Sequence, residues 1–166
     1  LDGAIAGRCS TVKAEDIACV LLAAGRGSRF GGGKLAAELA GKPLVRHVAE
    51  RLGTLPFAQH LIVTSDSTPP VAGFERIGLR PPDAPLSRSI ASGIAALSGD
   101  SPALIALADM PLVPAAHFAR LIDEFDGNCI GTAVAGRIMV PAIFGPGLFP
   151  QLMALEGDRG AAPLLR

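Results

Sequence analysis

Between Leu21 and Lys34 the chain reads LLAAGRGSRFGGGK, with Arg26, Arg29 and Lys34 inside nine positions and no acid anywhere from Ile17 to Ala37. Backbone amides in a glycine turn can point together at one anion, and three cations would balance much of a triphosphate's charge. The competing reading is an exposed loop with incidental cations. Two familiar phosphate-loop spacings fail. The ATP-loop pattern wants Gly, four residues, then Gly-Lys-Ser/Thr, but Leu35 follows Lys34 and Ser28 stands where the first glycine should be. The dinucleotide pattern G-x-G-x-x-G begins at Gly25 and Gly27 but meets Phe30 at its third glycine position. Its ribose-binding carboxylate is also misplaced, since Asp66 comes too late. The second chemically suggestive residue is Asp109, the only acid from Ser101 to Ile122. A carboxylate there can serve a phosphate site through a metal ion or stand as a turn or cap residue before Pro111.

Both features need elements to hold them. Ile17–Leu22, His60–Thr64 and Ala103–Ala108 are apolar along their whole length, as strands covered on both faces are. Pro43–Leu52 has Pro at a first helical position, apolar residues at Leu44, Val48 and Leu52, and Gly53 as a stop. Ser89–Leu97 has helical spacing with a serine cap, and Pro114–Phe125 is amphipathic. Cys129–Val134 and Ile138–Phe144 read as two strands about a hairpin-like AGR turn, and a last helix spans Leu148–Leu155. Asp66–Leu86 reads as a Pro-rich loop with at most a short strand near Ile77–Leu79. Alternating apolar strands and helices predict an α/β fold with a mostly parallel sheet. In such sheets ligands bind beyond the carboxyl ends of the strands, where the glycine loop and Asp109 both fall.

Composition narrows the function classes. With 15 Lys and Arg against 15 Asp and Glu the formal charge is zero, which argues against nucleic acid or an anionic membrane as the partner. There is no Trp or Tyr and little other aromatic surface on which bases could stack. No apolar run reaches the length of a membrane span, and no flank resembles a signal peptide. Cys9, Cys19 and Cys129 are far apart, and Cys19 and Cys129 sit in apolar runs as core residues do; a reducing, cytoplasmic setting fits. Residues 1–15 read as a loose leader or linker and 16–166 as one domain.

The segment LAAGRGSRFGGGKLAAELAGKPLVRHVAERL (Leu22–Leu52) resembles the opening signature of the molybdenum-cofactor nucleotidyltransferases, the MobA-like NTP transferases. The likeness continues in order through SIASGIAAL, ALADMPLV and VPAIFGPGLFPQLMALEGDRGAAPLL, and so covers most of the chain. It implies a three-layer Rossmann-like sheet of the nucleotide-diphospho-sugar transferase type, with helices on both faces. It implies an Mg²⁺-dependent enzyme that passes a nucleotidyl group to the phosphate of molybdopterin and releases pyrophosphate. The LAAG loop and APLSRSIASG are more similar to the branch using CTP, whereas LAGG is more typical of GTP. Guanylyl transfer to give a guanine dinucleotide is the alternative within the family, and a non-catalytic nucleotide-binding module the alternative outside it. Sugar-phosphate enzymes usually carry Pro before the loop lysine, where this chain has Gly33.

By the same resemblance Lys34 faces the transferring phosphate, with Arg29 and Arg26 on the outer phosphates. Ala23, Ala24, Gly25, Gly27 and Ser28 form the nucleotide cradle, chiefly through backbone amides. Asp109 is the metal ligand, and Ser89 belongs to the nucleotide pocket unless it caps its helix. Asp158 and Arg159 match a late motif near the acceptor. His47 reads as structural, and His60 and His117 lack metal-ligand spacing. The family usually runs on past the last matched block into a further strand, so the resemblance implies a missing C-terminal end here. Some members are fused to a molybdopterin-binding domain, which makes such a domain, or a molybdoenzyme, an expected partner.

Overall fold

A computed structural model describes residues 12–24, 33–82, 84–158 and 160–165 of the chain. Six strands form one sheet: β1 (Ala18–Ala23), β4 (Gln59–Thr64), β5 (Glu75–Gly78), β6 (Ala103–Leu107), β7 (Cys129–Val134) and β8 (Arg137–Phe144). A two-stranded hairpin, β2 (Glu38–Leu39) with β3 (Lys42–Pro43), stands apart from it. The helices are α1 (Leu44–Gly53), α2 (Leu86–Ala95), α3 (Ala115–Glu124) and α4 (Phe149–Met153).

The sheet order is β5-β4-β1-β6-β8-β7. The first four strands are parallel, and the β8–β7 hairpin closes one edge antiparallel. The expected mostly parallel α/β sheet is therefore present. Strand β1 lies at its centre and shows why its sequence is apolar throughout. Cys19, Leu21 and Ala23 enter one core with Val45, Val48 and Leu52 of α1 and Phe118, Leu121 and Ile122 of α3. Val20, Leu22 and Ala24 enter the opposite core with Ile90 and Ile94 of α2 and Leu152 of α4. Alternate side chains feed opposite layers, so a strand covered on both sides has no polar face to show. Helix α2 comes very close to the sheet at Gly93, where an added Cβ would lie 2.5 Å from Val20 Cγ1.

Chain order and sheet order together locate the crevice. From β1 the chain moves through α1 to β4 and β5 on one side, then returns through α2 to β6 on the other. The β1–β6 seam is thus the point where the winding reverses, and the ends of these two strands must part into a cleft.

Some expectations need correction. Helix α2 begins at Leu86 with Pro85 as its N-cap, so Ser89 lies inside the first turns and does not cap the helix. A serine just ahead of helically spaced apolar residues reads like a cap by sequence, but Pro85 has already fixed the chain's turn into the helix. Strand β5 starts two residues before the expected position, at Glu75. The β2–β3 hairpin carries no apolar alternation that would mark it in the sequence; its turn sets both Ala40 and Gly41 at positive φ.

Candidate functional site

The carboxyl ends of β1 and β6 are fixed to one another before they diverge. Ala108 N–H donates to the Leu22 carbonyl at 3.0 Å, one step beyond the last regular pair. The Ala23 carbonyl accepts a 2.7 Å hydrogen bond from Thr68 Oγ1, a buried hydroxyl just beyond β4. Ala23 and Ala24 are both buried, one methyl in each core. Their small side chains leave the backbone itself open to partners at the end of β1, as the Thr68 bond to the Ala23 carbonyl shows.

The loop returns at Gly33, whose φ of 81° is left-handed. A proline, locked near −65°, cannot occupy that position, which gives a physical reason for the Gly33–Lys34 pair. The Gly33 carbonyl accepts from Ala36 N–H at 2.8 Å, opening a single 3₁₀ turn over Lys34–Ala36. Leu35 packs into the α1 side of the core, and Leu44 N–H donates to Ala37 O at 3.0 Å, tying the turn to α1. Lys34 is thereby anchored at its backbone and half-exposed at its side chain.

Lys34 Nζ reaches across the cleft to Asp109 Oδ2 at 2.8 Å. The two residues are 75 positions apart in sequence, yet the seam between β1 and β6 sets them face to face. Each side chain is nearly 40% exposed. An ion pair so accessible to water contributes about 0.2–1 kcal/mol, so stability alone is a weak reason for it. The segment after Asp109 is held from behind. Arg51, in the last turn of α1, donates through Nη1 to the carbonyls of Pro111 and Val113, the latter at 3.3 Å.

Of the expected site residues the structure brings together Ala23, Ala24, Lys34 and Asp109 at one crevice. Gly25, Arg26, Gly27, Ser28 and Arg29 lie outside the described residues, as does Arg159. Ser89 is buried in α2, on the opposite core's side of the sheet. Asp158 Oδ1 accepts from Leu86 N–H at 3.1 Å and so ties the 157–158 turn to the start of α2. The histidines have distinct jobs. His47 Nε2 donates to Leu39 O at 2.7 Å, fixing the small hairpin to α1. His60 stands between the rings of Phe57 and Phe74, with Nε2 buried and unpartnered among the described residues. His117 bonds Thr132 at 2.8 Å, a pairing that no sequence spacing signals.

No group of three or more His, Cys, Asp or Glu gathers among the described residues in a way that could hold a metal by protein ligands alone. Asp109 does fit the hard-cation pattern in which one carboxylate shares the ion with substrate phosphates and water. No described helix is long and apolar enough to cross a membrane.

Comparison with known proteins gives the family and the fold. Residues 19–166 match the family model described as the MobA-like NTP transferase domain. A molybdenum cofactor guanylyltransferase from Cereibacter sphaeroides is 36% identical over 143 residues, covering 81% of this chain and 69% of that protein. The bifunctional protein GlmU of Rhizorhabdus wittichii is 31% identical over 125 residues, covering 70% of this chain but only 28% of that protein. A Mycobacterium tuberculosis H37Rv protein, solved as a complex with manganese, superposes with a TM-score of 0.75 at 20% identity, covering 89% of this chain and 80% of that one. The last likeness is one of fold. With the sheet order, the paired strand ends and a match over nearly its whole length, the chain belongs to the family of MobA-like NTP transferase domains.

Proposed function

We propose that the chain transfers a nucleotidyl group from a nucleoside triphosphate to the terminal phosphate of a molybdopterin acceptor. The observation that carries this reading is the Lys34–Asp109 pair at the β1–β6 seam. An acceptor phosphate oxygen attacks the α-phosphorus and forms a new P–O bond. The bond to the β-phosphate oxygen breaks, and pyrophosphate leaves with that electron pair. No protein nucleophile is needed, so the chain's task is positioning and charge compensation.

Lys34, freed from Asp109 by the incoming phosphate, holds its ammonium against the transferring group. Asp109 and the nucleotide's phosphates would hold a divalent cation, which supplies further charge neutralisation when bound. Arg26 and Arg29 hold the outer phosphates, with the amides of Gly25, Gly27 and Ser28 completing the cradle. Ser89, buried in α2, belongs to the nucleotide pocket on the strength of the family resemblance alone.

GTP is the favoured donor, because the Cereibacter relative is named a guanylyltransferase. A second reading, CTP, is kept because the loop reads LAAG rather than LAGG. The test is mass identification of the product formed from molybdopterin, Mg²⁺ and an equimolar mixture of GTP and CTP. A guanine dinucleotide is expected; a cytosine dinucleotide alone would reverse the donor assignment, and no dinucleotide would overturn transfer to molybdopterin.

A further inference from the structure

A cavity of about 480 Å³ opens on the α3 side of Asp109. Its walls are Pro111, Leu112, Val113 and Pro114 on one side and His117 of α3 with Thr132 of β7 on the other. The wall is largely apolar, and Leu112 is 85% exposed, which leaves an aliphatic side chain facing water. Such a surface gains from being covered. The cavity's polar groups are few, as in sites where a small number of placed polar groups fix a ligand's orientation.

Those polar groups are held with care. The β7–β8 ladder changes register between Gly131, opposite Ala142, and Thr132, opposite Met139. The irregularity takes the Pro141 carbonyl out of regular pairing, and it accepts Thr132 Oγ1–H at 2.7 Å. Bulges often re-aim a side chain in this way beside functional sites. Thr132 has one hydroxyl proton, and Pro141 O takes it. The 2.8 Å contact between His117 Nε2 and Thr132 Oγ1 must therefore use a proton on Nε2. With Nε2–H committed, the neutral imidazole has its lone pair on Nδ1, which has no hydrogen-bond partner among the described residues.

We propose that this cavity seats the acceptor, and that His117 selects it through Nδ1 by accepting a hydrogen bond from an N–H of the acceptor's heterocyclic body. The ligand class is a phosphate monoester with a flat heterocyclic body: its ring face lies along Leu112 and Pro114, and the phosphate reaches Lys34 past Asp109. The proposal rests on the transfer reading above but concerns the second substrate alone. Thr132 is a positioning residue, acting through the imidazole.

The test compares two substitutions in the full chain. His117→Gln keeps an amide N–H for Thr132 and lacks the Nδ1 acceptor, while His117→Asn places an amide oxygen near the Nδ1 position. With molybdopterin varied at saturating NTP, His117→Gln should raise the acceptor KM by about tenfold, the loss of one hydrogen bond, and leave the NTP KM unchanged. His117→Asn should keep most of the wild-type acceptor KM. Calorimetric titration of molybdopterin into the same proteins reads binding without turnover. If wild type turns over and His117→Gln leaves the acceptor KM unchanged, the cavity assignment falls while the transfer reading stands. If wild type binds molybdopterin without turnover and His117→Gln weakens that binding, transfer falls and the cavity assignment stands. If wild type neither binds nor turns over molybdopterin, both fall.

Discussion

At the scale of single residues the candidate site depends on two opposite charges placed face to face. Lys34 and Asp109 hold one another at 2.8 Å in a solvent-open cleft. The bond is weak enough for a triphosphate and its cation to replace it, and strong enough to keep both groups aimed inward. Lys34→Ala should leave the thermal midpoint within a few degrees of wild type while lowering kcat by about 10²–10³, the usual cost of losing one donor to transition-state charge. Asp109→Asn should raise the divalent-metal concentration needed for half-maximal activity, measured by metal titration at fixed NTP. Unchanged kcat in the first variant, or an unchanged metal requirement in the second, would remove the corresponding role.

The elements explain how those charges are delivered, and how much the sequence could show. The apolar runs of β1, β4 and β6 were legible because strands buried on both faces have no polar positions to confuse the pattern. The seam between β1 and β6, and with it the pairing of Lys34 and Asp109, was legible only as a consequence of chain order and resemblance. No local pattern links positions 75 apart. Arg51 stayed hidden for a similar reason. It sits in α1 as one more exposed-face cation, and its task appears only when its guanidinium meets the Pro111 and Val113 carbonyls. His117 and Thr132 were invisible because their alignment depends on a register irregularity in β7–β8. The start of α2 is hidden because a serine ahead of helical spacing imitates a cap while Pro85 opens the helix earlier in the chain, at Leu86.

The same elements carry their own test. Arg51→Ala frees the segment behind Asp109 and should raise the divalent-metal concentration for half-maximal activity as Asp109→Asn does, though less, with a stability loss of about 1–2 kcal/mol from two unpaired carbonyls. Arg51→Lys, able to reach one carbonyl, should recover part of the metal response. Equal metal titration curves for wild type and Arg51→Ala would show that the clamp does not position Asp109. Unfolding in urea separates this from a general loss of structure.

Taken whole, the molecule is a twofold-cored α/β layer structure whose two helical layers meet different faces of one strand. Cys19, at the centre of β1, is fully enclosed, and burial pushes its thiol well above the ordinary range. The folded pKa is raised, so the stabilisation is complete below the unfolded thiol's value of about 8.5 and is lost as pH rises above it. The urea midpoint of wild type should therefore fall between pH 8 and pH 10, and the gap between wild type and Cys19→Ala should narrow over that interval. A gap independent of pH would show that Cys19 does not set this slope. The buried thiol should also resist alkylation until the protein unfolds, unlike half-buried Cys129.

The family membership, the crevice and the opposed charges converge on nucleotidyl transfer, and pyrophosphate release tests it most directly. The protein is incubated with Mg²⁺, molybdopterin and GTP, CTP or ATP in turn, with Lys34→Ala in parallel. Acceptor-dependent pyrophosphate release is expected with GTP, less with CTP, and at background with Lys34→Ala. Background release with all three nucleotides, or equal release by Lys34→Ala, would contradict the assignment.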